Sequence, residues 1–334
     1  MNRRDFLAFS SLTLPLMAAR PNQTSNSTLG IATTSYMLAW RPKDTLEFLE
    51  HCHQLGAGGI QSAINGDIST IRARAEKYGM YIEAMAPMPK GNDTAAFEHA
   101  LQNAKAVGAV ALRSACLGTR RYETFKSLTD WEAHVAESHR SIEAARPLLD
   151  KYKIPLGLEN HKDWTADELV ALMKKYGNEY FGVCLDFGNN ISLLDNPMEV
   201  IGKLAPFAVS THLKDMGVES ADDGFLLSEV LLGNGYLDLP HAISLVRQAR
   251  PNVRFSLEMI TRDPLKVPCL SDQYWVTFPD RNGLYLARTL RFVQEHPGQN
   301  PLPRVSQLSH QQHVQTEDAN VVTCLKYARE NLGF

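Results

Sequence analysis

The chain has 334 residues, of which 44% are hydrophobic and 21% are charged, and its formal net charge is −3. This composition is typical of a globular protein with enough chain for a large core, and the slightly acidic balance excludes the basic surface of a nucleic-acid-binding protein. Beyond residue 20, no apolar run has the length of a membrane-spanning helix. We therefore expect neither nucleic acid nor a membrane as a partner of the mature protein.

Residues 1–20 resemble an export signal of the twin-arginine (Tat) type. The pair Arg3-Arg4 precedes a short apolar run over residues 6–19, and no cysteine follows the run as a lipoprotein anchor requires. The alternative is a chance arginine pair before a helix that lies on a membrane surface. An export signal implies a periplasmic protein, and the small polar residues 21–29 then form a linker to the folded part.

From residue 30 onward, β-like runs alternate with amphipathic helical stretches. The eight predicted strands cover residues 30–36, 58–64, 80–88, 109–116, 154–161, 180–188, 208–215 and 253–260. Strict alternation predicts a parallel sheet, and eight units fit a (β/α)8 TIM barrel better than an open doubly wound sheet. No G-x-G-x-x-G follows the first strand, which weakens a dinucleotide-binding interpretation. We therefore predict an α/β protein whose catalytic domain is a (β/α)8 barrel over residues 30–298.

Two further elements are predicted outside the regular alternation. Residues 128–153 form one long helix, which Pro147 is expected to bend. A C-terminal extension, residues 299–334, contains a helix over residues 318–331. We expect this extension to pack on the barrel without forming a domain of its own.

The last four predicted strands each end on a residue that can bind a metal ion, namely Glu159, Asp186, His212 and Glu258. In such barrels the functional residues lie where strands end and loops begin. Side chains alternate between the two faces of a strand, and the residue two positions before each candidate is small. This parity predicts that all four candidates point towards the barrel axis and lie close together.

Three carboxylates in one pocket repel each other unless a cation holds them. A shell of three carboxylates and one imidazole suits Mn²⁺, Co²⁺ or Mg²⁺ and permits Zn²⁺. Each residue alone has an ordinary interpretation as a helix cap or an ion-pair partner. The repetition on four strands favours one divalent metal ion, for which Mn²⁺ is the first expectation.

The segments "LENH", "CLDFGN", "THLKD", "LLGNGYLDLPHAISLVRQA" and "FSLEM" resemble the xylose isomerase-like TIM-barrel superfamily of sugar isomerases and epimerases, over about residues 30–295. The resemblance implies that Glu159, Asp186, His212 and Glu258 are the metal ligands. "HLKD" with the later "GNGYLD" is most similar to the branch of inosose dehydratases and hydroxypyruvate isomerases. Asn189 stands where ketose 3-epimerases tend to have a histidine, and no D-x-H lies near "LLGNGYLD", which disfavours the trinuclear-zinc endonucleases.

The resemblance implies a metal-dependent isomerase or epimerase of a sugar or keto-sugar. Glu159 and Glu258 would be the catalytic residues, moving a proton next to a carbonyl through an enediolate that the metal stabilises. A dehydratase or other lyase acting on a keto-sugar, keto-glycoside or inosose shares that intermediate and stays open. A noncatalytic sugar-binding barrel is the second alternative. Barrels of this family often pair, so a homo-oligomer also stays open.

Residues near the four strand ends are candidates for contacting a small-molecule carbohydrate substrate: His161, Asn160, Asn189, Lys214, Arg113 and Trp275. Gln61 and Glu83, on the second and third strands, are further candidates for binding hydroxyl groups. Trp275 lies in a long loop insertion, residues 261–283, and a second insertion covers residues 216–235. Both insertions are expected to cover the barrel mouth. Ordinary alternatives exist, such as a loop hydrogen bond for His161 and a position at the barrel rim for Arg113.

Overall fold

The computed structural model describes residues 28–298 and 301–334. The predicted export signal, residues 1–20, and nearly all of the predicted linker lie outside the described residues. No helix in the described ranges combines the length and the apolar character needed to cross a membrane.

Eight parallel strands close into a barrel, which confirms the predicted (β/α)8 fold. The described residues contain eleven strands, of which β8, β9 and β11 lie outside the barrel. In chain order they are β1 (Gly30–Ala32), β2 (Gly59–Ser62), β3 (Tyr81–Met85), β4 (Ala111–Ser114), β5 (Leu156–Glu159), β6 (Phe181–Asp186), β7 (Ala208–Leu213), β8 (Asp215–Ala221), β9 (Gly224–Val230), β10 (Ser256–Leu257) and β11 (Leu265–Val267). The barrel order is β1-β10-β7-β6-β5-β4-β3-β2. Each barrel strand falls within a predicted run and is shorter than it.

Helices surround the barrel and cover its outer face. They are α1 (Thr45–Gln54), α2 (Ile68–Tyr78), α3 (Ala95–Val107), α4 (Arg121–Thr124), α5 (Leu128–Tyr152), α6 (Ala166–Tyr176), α7 (Pro197–Leu204), α8 (Leu239–Ala249), α9 (Asp272–Trp275), α10 (Gly283–Glu295) and α11 (His310–Asn331). Leu156 and Leu158 of β5 are fully buried in the main hydrophobic core. The predicted long helix is a single element, α5, that continues across Pro147.

The insertions after β7 and β10 contribute a second, three-stranded sheet that the sequence analysis treated as loops. Strand β9 pairs antiparallel with both β8 and β11. The hairpin turn lies at "ADDG", and Gly224 there has a φ of 149°, a conformation that favours glycine. The D-G pair flanked by apolar residues is a hairpin signal, so this sheet was accessible to sequence reasoning and was missed.

The C-terminal helix α11 joins the barrel at its first βα connection. It begins at His310, eight residues before the predicted start at 318, because Ser309 and Gln312 form a capping box ahead of the apolar part. The carboxylate of Glu317 is fully buried and accepts hydrogen bonds from three successive backbone N–H groups, at residues 38–40, over distances of 2.8–3.3 Å. The helix thereby fixes the segment that follows β1.

We predict that Glu317→Ala lowers the free energy of unfolding by about 3 kcal/mol, because three backbone donors lose a charged acceptor in a buried setting. Glu330→Ala, at an exposed position of the same helix, is the matched control and is expected to change stability by less than about 0.5 kcal/mol. Urea denaturation followed by circular dichroism measures both. Equal stability of the two variants would show that the Glu317 contacts contribute nothing.

Candidate metal centre

Four side chains from the ends of β5, β6 and β7 and from the residue after β10 meet at the barrel mouth. One ligand atom from each of Glu159, Asp186, His212 and Glu258 lies within 4.8 Å of the others, and all four residues are buried. The parallel register places them side by side: Asp186 is paired with His212, and His212 with Ser256, two positions before Glu258. The structure therefore brings together the four residues that the sequence analysis selected as ligands.

The imidazole of His212 has one bonded and one unbonded nitrogen. Its Nε2 lies 2.6 Å from the side-chain oxygen of Gln61, so Nε2 carries the proton and donates it. Its Nδ1 has no hydrogen-bond partner, yet it lies 3.7 Å from Glu159 Oε1, 3.5 Å from Asp186 Oδ2 and 3.4 Å from Glu258 Oε1. Three carboxylate oxygens around Nδ1 favour a positive charge there, which is a proton in the metal-free protein, and the donor set of the deprotonated ring with the carboxylates fits a divalent metal ion.

Gln61 and Glu83 lie beneath the four ligands, inside the barrel, and both are fully buried. The amide nitrogen of Gln61 donates to Glu83 Oε2 at 2.9 Å, and the hydroxyls of Ser210 and Ser256 donate to the same oxygen at 2.8 and 3.2 Å. Glu83 thus orients the Gln61 amide so that its oxygen faces His212. The expected role of this pair, binding substrate hydroxyls, does not fit a position below the ligands.

The charges around the cluster keep the carboxyl groups of Glu159 and Glu258 ionised. Burial acts to raise the pKa of Glu159, but the charges of Arg113 and His212 outweigh it and hold that pKa well below its usual value. Burial likewise acts on Glu258, whose pKa His212 and Lys214 hold below its usual value. Burial acts to lower the pKa of His212, but Cys184 and the carboxylates of Glu258 and Glu159 raise it well above its usual value. The site attracts positive charge to Nδ1.

Arg113 and Lys214 pair with the ligands from two sides. The Arg113 guanidinium contacts Glu159, and the Lys214 ammonium contacts Glu258 and lies 2.7 Å from Asp186 Oδ2. Both were predicted to contact substrate. Here they neutralise two of the three negative charges of the ligand set, which reduces the mutual repulsion of the carboxylates.

The asparagines near the site brace the ligands. Asn160 accepts the backbone N–H of Asp186 at 2.7 Å and donates to its carbonyl at 2.8 Å, which joins β5 to β6. Asn189 donates to Glu159 Oε1 at 3.1 Å, and its backbone N–H donates to Asp186 Oδ1 at 2.8 Å. Both were candidates for substrate contact. Asn160 is fully buried in these contacts, whereas Asn189 also reaches the cavity described next.

A cavity of about 260 Å³ opens above the ligands at the barrel mouth. Its lining includes Thr34, Arg113, His161, Lys162, Glu258 and Arg262. Thr34 donates to Glu258 Oε1 at 2.7 Å. The Nδ1 of His161 has no hydrogen-bond partner, and burial lowers the pKa of this imidazole to about 4, so it is neutral and free to bond a substrate oxygen.

Trp275 does not line this cavity. Its indole N–H donates to the carbonyl of Cys269 at 3.0 Å, and its ring packs on Tyr274 in a second apolar cluster. Thr34, Lys162 and Arg262 line the cavity but were not among the predicted site residues. Lys162 directly follows His161, so reading on along the loop after β5 would have found it.

A family model described as the xylose isomerase-like TIM barrel matches residues 46–278. The chain belongs to this family. The family resemblance drawn from the sequence is confirmed. The assignment to one branch of the family stays a prediction.

Three relatives show the range of the likeness. A 3-oxo-isoapionate decarboxylase of Pectobacterium atrosepticum is 26% identical over 243 residues, which cover 68% of this chain and 82% of that protein. The crystal structure of D-psicose 3-epimerase in the presence of D-fructose has a TM-score of 0.59 at 17% identity and covers 91% of this chain and 99% of that chain. That of the IOLI protein with a bound zinc atom has a TM-score of 0.56 at 14% identity, covering 90% and 98%. At such identities the two crystal structures show the fold alone.

We predict that binding of Mn²⁺ releases a proton and weakens as the pH falls. The sign follows from His212: its raised pKa means that the metal-free ring holds a proton on Nδ1, which a metal ion must displace. Below that pKa the apparent affinity should fall by about tenfold for each pH unit. Calorimetric titrations in buffers of different ionisation enthalpy measure the proton release, and a pH-independent affinity would contradict the prediction.

We predict that Glu83→Gln weakens metal binding by about tenfold to a hundredfold. The variant replaces the carboxylate acceptor of three hydrogen bonds by a neutral amide oxygen, which orients the Gln61 amide less firmly and allows its N–H groups to face His212. The imidazole then carries its proton on Nδ1 and loses a ligand position. Glu98→Gln, on the outer helix α3, is the matched control. An unchanged affinity in Glu83→Gln, measured by Mn²⁺ titration, would rule out the orienting role.

Proposed function

We propose that the protein is a divalent-metal-dependent isomerase or epimerase of a sugar or keto-sugar. The observation that carries this proposal is His212 Nδ1, which faces three carboxylates, of which Glu258 also lines a cavity of about 260 Å³ at the barrel mouth. The relatives include a sugar epimerase and a decarboxylase, which supports an enzyme of this class. A noncatalytic sugar-binding barrel would not require the complete ligand set.

Glu159, Asp186, His212 and Glu258 would hold the metal ion. Carboxylate-rich shells suit Mn²⁺ well, and we propose it as the native ion. When bound, such an ion supplies a Lewis acid that polarises a carbonyl and stabilises charge developing on its oxygen. We further propose that the protein works in the periplasm after twin-arginine export.

Glu159 and Glu258 are the groups that move the proton. Both stay ionised at neutral pH because neighbouring cations hold their pKa values low, so either can accept a proton from the carbon next to the carbonyl. In the barrel order β10-β7-β6-β5 they stand at opposite ends of the row of four strands; Glu258 lines the cavity, and Glu159 contacts Arg113, which also lines it. One removes the proton and the other returns it. Thr34 and Asn189 hold their carboxyl groups in place.

A lyase is the second candidate, because elimination and decarboxylation of a keto-sugar pass through the same enolate or enediolate. The specific support is the decarboxylase relative together with the cationic lining of the mouth. Loss of carbon dioxide leaves the electron pair on the former α-carbon, where a proton then adds. In an elimination a hydroxide leaves instead and takes up the proton that the carboxylate removed from the carbon, while the neutral His161 imidazole lines the cavity as a hydrogen-bond partner.

We predict that the Mn²⁺-loaded protein exchanges the proton next to the carbonyl of its substrate with deuterium from D₂O. Nuclear magnetic resonance on a panel of ketoses and 3-keto-sugars identifies the carbon that gains deuterium. Glu258→Gln should slow this exchange by at least about a hundredfold, since a positioned base contributes that much or more.

Glu179→Gln, at an exposed position after α6, is the control for the exchange experiment and should exchange at the wild-type rate. Metal content is measured on each variant, so that loss of metal is separated from loss of the base. Exchange that continues unchanged in a metal-loaded Glu258→Gln variant would remove this residue from the mechanism. Absence of exchange with every compound would contradict the isomerase proposal.

A further inference from the structure

The cavity above the metal centre is lined by an unusual number of basic side chains. Arg113, Arg120, Lys162 and Arg262 all line it, and Lys214 lies beneath it against Glu258. Most of these cations have a carboxylate partner: Arg113 contacts Glu159, Arg120 contacts Glu123, Arg262 contacts Glu229 and Lys214 contacts Asp186 and Glu258. Lys162 is the exception.

Lys162 is 4% exposed, and its ammonium contacts only a neutral acceptor, the amide oxygen of Asn189. Within residues 28–298 and 301–334, no carboxylate oxygen lies within the 4.0 Å that defines an ion pair with it. Burial, and then the charges of Lys214 and Arg262, lower the pKa of Lys162 to about 8. A buried ammonium without a counterion is costly, so the free protein keeps here a charge that an anion would stabilise.

Loading the metal centre increases the positive charge of the mouth. The five cations named above face five carboxylates, Glu123, Glu159, Asp186, Glu229 and Glu258, so these groups balance. A divalent ion on a neutral His212 then leaves an excess of two positive charges. An ionised Glu83 beneath the site would offset one of these two positive charges, but burial raises its pKa and so favours its neutral form. A neutral sugar would leave this excess uncompensated, whereas an anionic ligand would offset it.

We propose that the substrate carries an anionic group, a carboxylate or a phosphate, and that Lys162 binds it. The inference rests on the proposed function, since it places the reacting carbonyl at the metal centre and the anion at the side wall. His161 and Arg262 line the same cavity and supply further hydrogen-bond donors or acceptors for the group. Lys162 is therefore a specificity determinant that selects sugar acids or sugar phosphates over neutral sugars.

A purely structural role of Lys162, holding Asn189 against Glu159, makes a different prediction. Losing that support would weaken metal binding and would affect neutral and anionic ligands alike. An anion-binding role affects the anionic ligands alone. The two roles are separated by comparing ligands that share one carbon skeleton.

The test uses the full Mn²⁺-loaded protein and calorimetric titration with three six-carbon ketoses: D-fructose, 2-keto-D-gluconate and D-fructose 6-phosphate. We expect at least one anionic ketose to bind about tenfold or more tightly than D-fructose. In Lys162→Met this advantage should fall by about tenfold while the D-fructose affinity and the Mn²⁺ affinity stay unchanged. Tighter binding of 2-keto-D-gluconate identifies the group as a carboxylate, and tighter binding of D-fructose 6-phosphate identifies it as a phosphate.

Lys174→Met removes an exposed lysine from α6 and is the matched control, expected to keep the full advantage. Lys162→Gln, which retains a donor to Asn189, replaces the methionine variant if that variant does not load Mn²⁺. The proposal is overturned if neither anionic ketose binds more tightly than D-fructose, or if the advantage survives the loss of Lys162. The titrations measure dissociation constants, so their outcome is independent of the deuterium-exchange experiment that tests the isomerase reaction.

Discussion

The repulsion between three buried carboxylates at one end of a closed barrel is the constraint on which the rest of the site depends. Glu159, Asp186 and Glu258 meet around His212 Nδ1 with little water to screen them. Such a cluster is stable only with positive charge in and around it. The protein supplies part of that charge through Arg113 and Lys214, and it leaves the centre of the cluster for a divalent cation.

The interior of the barrel is organised to keep that centre open. Glu83 receives three hydrogen bonds from Gln61, Ser210 and Ser256, and the resulting orientation of Gln61 fixes the proton of His212 on the nitrogen that points away from the carboxylates. Small side chains two positions before the ligands leave room for this layer. Three levels therefore follow one another along the barrel axis. They are the hydrogen-bonded group of Gln61, Glu83, Ser210 and Ser256, then the four candidate ligands, and then the cation-lined cavity.

The fold and the convergence of the four candidate ligands were predictable because both depend on short-range patterns. Strand alternation fixed the barrel, and the two-residue period of a strand placed Glu159, Asp186, His212 and Glu258 on its inner face. The second sheet was missed because β8 and β9 follow β7 without a helix, which interrupts the βα alternation. The roles of Gln61 and Glu83 were misjudged because sequence position does not show depth along the barrel. Thr34 acts through a contact with the distant Glu258, which no local pattern reports, whereas Lys162 directly follows His161 and was within reach of sequence reasoning.

Anomalous X-ray diffraction from a crystal of the Mn²⁺-soaked protein at the manganese edge tests the central claim most directly. The account predicts one strong peak enclosed by Glu159, Asp186, Glu258 and His212 Nδ1, at oxygen and nitrogen distances of about 2.0–2.3 Å. It also predicts that the Gln61 oxygen still accepts from His212 Nε2. A manganese peak elsewhere with none among these four residues, in crystals where the ion is bound, would contradict it.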